Sequence, residues 1–146
     1  MSLKLPSETI FYKIEEAIKT YRKFAINNIT KEFPDLTLDQ GLILIYLNGH
    51  SGLTLSDLAD LLFKDNAAVS RMIESMMKKG YLAKSINEFD KRKSVLSLTP
   101  KSQNELVNLT EIIEQNRIKA IHEITQFEMD HLNDILEKLI KNCKSN

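Results

Sequence analysis

Hydrophobic residues recur at three- and four-residue steps in the first quarter of the chain. Between positions 7 and 31 they are Phe11, Ile14, Ile18, Tyr21, Ala25 and Ile29. This spacing predicts one face of an α-helix, with Ser7 as its N-cap and Pro34 beyond its end. Residues 37–48 are apolar on most of the surface that a helix would present, so we expect a second helix at the centre of the core.

Two shorter helical patterns follow. Thr54 and Asp57 resemble a capping box, which predicts the start of a helix of about two turns. Asp65 is the predicted N-cap of the next helix, 65–79, and Gly80 stands where a left-handed C-terminal residue belongs. Two helices of this length, joined by a short turn, have the dimensions of a helix-turn-helix.

The pattern between residues 82 and 98 differs. Two short apolar stretches flank a charged tip, which predicts a β-hairpin. Helical spacing returns at Pro100, which suits a first helical turn. The apolar stripe of this long helix is predicted to comprise Leu106, Leu109, Ile113, Ala120, Ile121 and Ile124.

A second capping box, from Thr125 to Glu128, predicts the start of the last helix. Apolar residues then alternate by three and four, which is the spacing of a coiled-coil seam. The seam residues are Met129, Leu132, Leu136, Leu139 and Cys143. Little of the chain is left to cover them, so the seam favours a homodimer.

Composition limits the class of protein. Among 146 residues, 42% are hydrophobic, which excludes intrinsic disorder, and only 4 are Gly and 3 Pro, too few for the turns of a β-sandwich. The single cysteine, Cys143, forms no intramolecular disulfide, which favours a reducing, cytoplasmic location. The sequence shows no signal-peptide core and no apolar run long enough for a membrane span. We therefore predict one mainly α domain, 1–146, with a small β-hairpin.

The net charge is zero, but the charges are unevenly distributed. Residues 64–101 hold nine basic and four acidic side chains, or +5, whereas 1–63 carry −2 and 102–146 carry −3. Electrostatic screening acts over about 10 Å at 0.1 M salt. Acidic residues at the far ends of long helices are therefore screened from a ligand at the basic centre, and the local excess favours a phosphate backbone as partner.

The 65–79 helix has two contrasting faces. One is apolar, and we expect it in the core: Val69, Met72, Ile73 and Met76. The opposite face holds Asn66, Ala67, Ser70, Arg71 and Glu74. Small residues allow close approach to a groove, while Asn and Arg can contact adenine or guanine edges in pairs of hydrogen bonds. The hairpin tip, Lys91, Arg92 and Lys93, is predicted to reach a neighbouring phosphate or the minor groove.

Catalytic and cofactor patterns are absent from the sequence. The histidines, His50, His122 and His131, have no zinc-ligand spacing, and we interpret them as ordinary polar residues. His50-Ser51-Gly52 lacks the flanking pattern of a nucleophile elbow, and no glycine-rich phosphate loop occurs. The sequence thus predicts neither an enzyme nor a cofactor or metal site.

The order of elements and five short motifs resemble the MarR family (multiple antibiotic resistance regulators) of winged helix-turn-helix transcription factors. The motifs are LTLSDLA at 53–59, SRMIE at 70–74, KKGYL at 78–82, DKR at 90–92 and LSLT at 96–99. The Asp-x-Arg of the wing, followed closely by Leu-Thr, is the most specific of these motifs. Lys91 replaces the first Arg of the family's frequent Asp-Arg-Arg, and Asn87 and Ser102 stand where the family often has an acidic residue and Gly.

The resemblance implies a winged helix-turn-helix lobe at 37–98 and dimerisation helices at 7–33 and 100–143. It also implies a homodimer on double-stranded DNA, with the helix around Ser70 and Arg71 in the major groove and Arg92 in the minor groove. The expected function is a repressor on a pseudo-palindromic operator, released by a small aromatic or phenolic effector. The family's oxidant-sensing branch uses an N-terminal cysteine, which this chain lacks.

One alternative from another functional class remains: a winged-helix protein-interaction module that does not bind DNA. Such a module is expected to lack basic residues at its wing. The tip Lys91-Arg92-Lys93 therefore favours the DNA-binding hypothesis.

Overall fold

The computed structural model describes residues 2–50, 52–86, 89–90 and 94–145. A short 3-10 turn, Pro6–Glu8, precedes the regular elements. These are α1 (Ile10–Glu32), α2 (Leu38–Gly49), α3 (Leu55–Leu61), α4 (Asn66–Lys78), β1 (Leu82–Ile86), β2 (Ser94–Leu98), α5 (Pro100–Ala120) and α6 (Gln126–Lys144). The predicted fold class, mainly α with a two-stranded hairpin, is confirmed. Backbone contacts group the chain into two compact units, Met1–Asn116 and Arg117–Asn146.

The start of the first helix differs from the prediction. Thr9, not Ser7, is the N-cap of α1, and its hydroxyl accepts a hydrogen bond from the backbone N–H of Tyr12 at 3.4 Å. Ser7 lies instead within the 3-10 turn that Pro6 opens. The turn is closed when the backbone N–H of Leu5 donates to a Glu8 carboxylate oxygen at 2.8 Å.

The core of the first unit is built around α2, as predicted. Ile43 and Leu44 are fully buried, and Leu38 is buried at the start of the helix. Leu42, Ile45 and Tyr46, which we expected in the core, are half-buried and pack against it. The other buried apolar side chains come from every helix of this unit and from the start of the hairpin: Ala25, Ile29, Phe33, Leu36, Leu58, Ala59, Leu62, Val69, Ile73, Met76, Tyr81, Leu82, Leu106, Leu109 and Ile113.

The N-terminal ends of α3 and α4 follow the predicted capping. The Asp57 N–H donates to the Thr54 hydroxyl at 3.1 Å, and the Thr54 N–H donates to the Asp57 carboxylate at 2.9 Å. At the start of α4, the Asp65 carboxylate accepts from the Ala68 N–H at 2.7 Å. Each cap satisfies a backbone donor that the first helical turn leaves without an intrahelical partner.

The C-terminal ends of α3 and α4 share one backbone motif. After α4, Gly80 has φ +84°, its N–H donates to the Met77 carbonyl at 3.1 Å, and the Tyr81 N–H donates to the Met76 carbonyl at 2.9 Å. These two bonds define a Schellman motif, which confirms the expectation for Gly80. The motif after α3 is closed by equivalent bonds, from Phe63 to Asp60 (3.3 Å) and from Lys64 to Ala59 (2.9 Å).

The left-handed residue after α3 is thus Phe63, with φ +56°. Bulky residues rarely adopt this conformation, and the sequence analysis did not anticipate it.

The predicted hairpin is confirmed as an antiparallel pair. Leu82 faces Leu98 at its base, and Ile86 faces Ser94 at its outer end. The connection between the strands is therefore 87–93. Within it, the predicted contacts Lys91, Arg92 and Lys93, as well as Asn87, lie outside the described residues.

The long apolar stripe of α5 is shorter than predicted. Leu106, Leu109 and Ile113 are buried, but α5 ends at Ala120. Ile121 and Ile124 lie in the segment after the helix, each 42% exposed, so the prediction of one continuous stripe was wrong beyond Ile113.

Thr125 caps α6, as expected, by accepting from the Glu128 N–H at 3.1 Å. The reciprocal half of the predicted capping box differs, because the Glu128 carboxylate accepts from the Thr125 hydroxyl at 3.1 Å. Within the described chain, no residue of α6 is buried.

Candidate nucleic-acid interface

The two faces of α4 are separated as the sequence predicts. Val69, Ile73 and Met76 are buried, and Met72 is half-buried against the core. The predicted contact face is accessible, with Ser70 half-buried between the exposed and buried faces. Its exposed members are Asn66, Ala67, Arg71 and Glu74. The face therefore combines short side chains with one guanidinium and one amide, as close approach to base edges requires.

Asn66 is held in place by a residue that the sequence analysis did not assign to the site. Its side-chain amide donates to the Ser56 hydroxyl, on the first turn of α3, at 3.1 Å. One amide hydrogen is used, which leaves the second N–H and the carbonyl oxygen for a bidentate contact. Ser56 could have been suspected from its place just after Thr54, because the capping box puts it on the exposed first turn.

Arg71 is the one cation of α4 whose side chain projects from the middle of the exposed face. No ion pair holds its guanidinium among the residues that the structure describes. Beside it lies an open, shallow cleft to which α2 and α4 both contribute. The cleft is lined by Thr37, Asp39, Gln40, Lys64, Ala68, Arg71, Met72 and Ser75. A guanidinium in this setting is available for bidentate contacts with guanine or phosphate.

Six of the nine basic residues between 64 and 101 lie in the described part of the chain, and three of these six have their ammonium groups held within the protein. Lys64 pairs with Asp39 at 3.4 Å, and Lys101 donates to the Lys79 carbonyl at 3.0 Å. The Lys79 ammonium in turn donates to the Asp35 carbonyl and to the Gln40 amide oxygen, the latter at 3.4 Å. These groups still add to the local positive potential, but they are less free to follow a phosphate.

The other described basic side chains of this segment are exposed and belong to α4 and β1. They are Arg71, Lys78 and Lys84. Together they extend the accessible positive charge from the predicted contact face of α4 toward the β-hairpin. The unequal roles of the lysines are not visible in the sequence, because a charge count does not distinguish a held ammonium from a free one.

The base of the wing is fixed by hydrogen bonds to the chain just after α4. The Ser102 hydroxyl, fully buried, donates to the Tyr81 carbonyl, and the Thr99 hydroxyl donates to the Gly80 carbonyl at 2.6 Å. The Thr99 N–H also donates to the Tyr81 carbonyl, at 3.3 Å. Ser102 therefore has a structural role at a position where the resemblance led us to expect Gly.

Tyr81 anchors the same region from its side chain. Its hydroxyl donates to the Asp35 carboxylate at 2.8 Å, and the Lys101 ammonium lies 4.3 Å from the centre of its ring. Burial, together with the nearby Asp35 carboxylate, raises the pKa of the Tyr81 hydroxyl far above its ordinary value. The phenol therefore stays neutral and keeps its hydrogen bond throughout the physiological pH range.

The described residues lack the features of two other kinds of site. No helix there combines the length and apolar character needed to cross a membrane. Among the same residues, no three His, Cys, Asp or Glu side chains are grouped so as to hold a metal ion.

Comparison with known proteins shows what this architecture resembles. Residues 35–93 match the sequence model of the MarR family. The HTH-type transcriptional regulator SarU of Staphylococcus aureus is 35% identical over 86 residues, which are 57% of this chain and 34% of SarU. The chain thus matches about a third of the length of that curated relative.

Solved structures share the fold over nearly the whole chain. The S. aureus MepR–DNA complex superposes with a TM-score of 0.83, at 20% identity, over 96% of this chain and 100% of MepR. BpsR of Bordetella bronchiseptica, whose DNA binding is regulated by 6-hydroxynicotinic acid, superposes with a TM-score of 0.82, at 22% identity, over 94% and 97% of the two chains. The chain is therefore similar to the MarR family in sequence over residues 35–93, and it shares the fold of these solved structures over nearly its whole length.

Proposed function

We propose that this chain is a sequence-specific regulator of transcription that binds double-stranded DNA through α4. The observation that carries the proposal is the exposed face of α4, where a free Arg71 and an oriented Asn66 stand among small residues. An ordinary solvent-facing helix surface has little need for an amide fixed by its neighbour. Such a face instead suits the major groove, whose base edges offer distinct donor and acceptor patterns.

Each side chain on this face has a defined role in the proposal. Arg71 recognises guanine through two hydrogen bonds, and Asn66, steadied by Ser56, recognises adenine. Ala67 and Ser70 allow the helix backbone to approach the groove closely. The wing residues Lys91, Arg92 and Lys93 contact phosphates or the adjacent minor groove, which positions the protein without reading sequence in the major groove.

A homodimer is part of the proposal. The N-terminal half of α1 exposes large apolar side chains, among them Phe11 at 59% and Ile18 at 50% exposure. In the other compact unit, α6 exposes Phe127 at 79% and Leu132 at 49%. Burial of such surface against a second copy is favourable. The regions 7–33 and 100–143 supply these contacts, and two copies of α4 about 34 Å apart require a pseudo-palindromic operator.

Regulation by a small molecule completes the proposed function. The chain acts as a repressor when bound at its operator, and an aromatic or phenolic effector releases it. Support comes from the shared fold with BpsR, whose DNA binding responds to 6-hydroxynicotinic acid. The test is a screen for compounds that raise the melting temperature of the chain and lower its operator affinity together.

The primary experiment is selection of bound duplexes from a random DNA library. Enrichment of a palindrome with half-sites one helical turn apart is expected, and it also supplies the operator. Failure to enrich any sequence would favour the protein-interaction module instead.

Arg71→Ala then tests the role of α4. We expect a loss of about 1–3 kcal/mol in binding free energy and relaxed preference at one guanine of each half-site. Lys31→Ala, which removes an exposed cation from the end of α1, is the matched control and should leave specificity intact. Unchanged preference in the Arg71 variant would remove this residue from base recognition.

A further inference from the structure

The turn between α3 and α4 carries an aromatic side chain with no place in the core. Phe63 is 95% exposed, and its neighbour Leu61 is 40% exposed. A single exposed apolar residue is common on a protein surface, but Phe63 also has an unusual backbone conformation. With φ +56° it occupies the left-handed position of the Schellman motif, where Gly is the usual residue.

Folding does not explain this choice of residue. The two hydrogen bonds of the motif, from Phe63 to Asp60 and from Lys64 to Ala59, join backbone atoms only, so Gly would form them equally well. The ring adds no buried surface to the described fold. An outlier of this kind, strained and exposed together, points toward a functional contact.

The position of Phe63 in the chain suggests what it contacts. It precedes Asn66 by three positions, so their Cα atoms lie at most about 11 Å apart. The major groove is about 12 Å wide and is bordered on each side by a sugar–phosphate strand. With the start of α4 in the groove, a side chain on the preceding turn lies beside one of these strands. Lys64, the next residue in the chain, and Arg71 line one cleft and supply positive charge there.

We propose that the ring of Phe63 packs against deoxyribose groups of the strand that borders the major groove occupied by α4. This inference rests on the proposed function, and it adds a contact of a different physical kind. The sugar offers apolar C–H surface between charged phosphates, and the exposed ring of Phe63 can cover that surface. Because every nucleotide carries the same sugar, the contact strengthens binding to any duplex and does not select a sequence.

This contact has a signature that separates it from the basic residues. A cation on a phosphate displaces a counterion, so its removal lowers the dependence of affinity on salt by about one unit per contact. An apolar contact with a sugar displaces no counterion. Loss of the ring is therefore expected to lower affinity at all salt concentrations by the same factor.

The experiment compares Phe63→Gly with the unmodified chain on two duplexes of equal length, the selected operator and its scrambled sequence. Affinity is measured from 50 to 300 mM salt, and the melting temperature is measured without DNA. We expect affinity to fall about tenfold per half-site on both duplexes with an unchanged salt slope. Relief of the left-handed strain should also raise the melting temperature by about 2–4 °C, which excludes misfolding as the cause of weaker binding.

Two further variants complete the design. Phe63→Leu keeps an apolar side chain at the same position and should retain most of the affinity. Arg71→Ala provides the contrast, since its loss should fall mainly on the operator and change the operator preference.

Three results would overturn the inference: unchanged affinity of Phe63→Gly, a loss confined to the operator, or a loss with a reduced salt slope. The first result leaves DNA binding itself intact. Failure of the unmodified chain to bind either duplex would instead overturn the proposed function along with the inference.

Discussion

α3 and α4 end in the same backbone motif, but the residues in the left-handed position and after it differ. After α4, glycine occupies the left-handed position, and the next residue, Tyr81, is buried at 2% exposure. After α3, Phe63 occupies that position, and the next residue, Lys64, pairs with Asp39 near the surface. One end ties the wing to the core, whereas the other presents an aromatic ring to solvent.

The difference shows that a left-handed position can be filled for two different reasons. Gly80 adopts φ +84° without a steric penalty, so this end serves the stability of the fold. A non-glycine residue in the same region costs on the order of 1–3 kcal/mol. The α3 end therefore tolerates strain that the α4 end avoids, as expected if the exposed side chain acts in binding.

The largest effect on stability is expected when Gly80, the left-handed residue after α4, is replaced by phenylalanine, the residue at the same position after α3. Gly80→Phe should lower the free energy of unfolding by about 1–3 kcal/mol, because φ +84° strains any side chain. A Cβ atom at this position would lie 3.9 Å from the Lys101 Cδ, an ordinary contact, so crowding adds little. Gly80→Ala, the matched control, should lose nearly as much in urea denaturation. An unchanged free energy of unfolding for Gly80→Phe would show that backbone strain does not distinguish the ends of α3 and α4.

A smaller difference is expected in the contacts that follow each motif. Ser102→Ala removes a buried hydrogen bond to the Tyr81 carbonyl and should cost about 1 kcal/mol, since the Thr99 N–H still satisfies that carbonyl. Lys64→Met removes the ion pair with Asp39 and should cost less, because the Lys64 side chain is 37% exposed and solvent screens the pair. Thermal unfolding of both variants measures which substitution costs more stability. A larger loss for Lys64→Met than for Ser102→Ala would contradict the distinction between the two helix ends.

The smallest effect concerns the opposite end of α3. Hydrogen bonds from the Thr54 backbone and hydroxyl lower the pKa of the Asp57 carboxyl below its ordinary value of 3.8. Because the folded pKa is the lower one, the cap contributes its stability above the ordinary pKa and loses it as the pH falls through the folded value. Asp57→Asn should therefore lower the melting temperature slightly at pH 7 and weaken its dependence on pH between about pH 5 and pH 2. An acid profile identical to that of the unmodified chain would show that this cap does not titrate with unfolding.

Local signals in the sequence predicted most of the helix-turn-helix. The residues at the helix ends can be recognised from their type alone. Each of Thr54, Asp65 and Gly80 satisfies or permits a backbone arrangement within four residues of itself. The same holds for the buried face of α4, because a period of 3.6 residues places Val69, Ile73 and Met76 on one side whatever they pack against. The contact residues Asn66, Ala67, Ser70 and Arg71 follow from that face by exclusion, and their role in DNA binding stays a prediction.

Errors arose where several local signals competed. Both Ser7 and Thr9 are good N-caps, and the fixed φ of Pro6 formed a 3-10 turn that left the cap to Thr9. Beyond Ile113, apolar spacing continued past Ala120, but the helix ended there, so spacing alone did not locate its end.

The sequence by itself determined the order of the elements, the caps of α3 and α4 and the uneven distribution of charge, because these depend on neighbours along the chain. Only the tertiary structure decided which lysines are held, that Ser56 orients Asn66, and that Ser102 ties the wing to Tyr81. These contacts join residues 10 to 44 positions apart, and no periodic pattern encodes them. Phe63 belongs to the same group, since its left-handed backbone and exposed ring follow from how α3 turns into α4, not from any preference of phenylalanine.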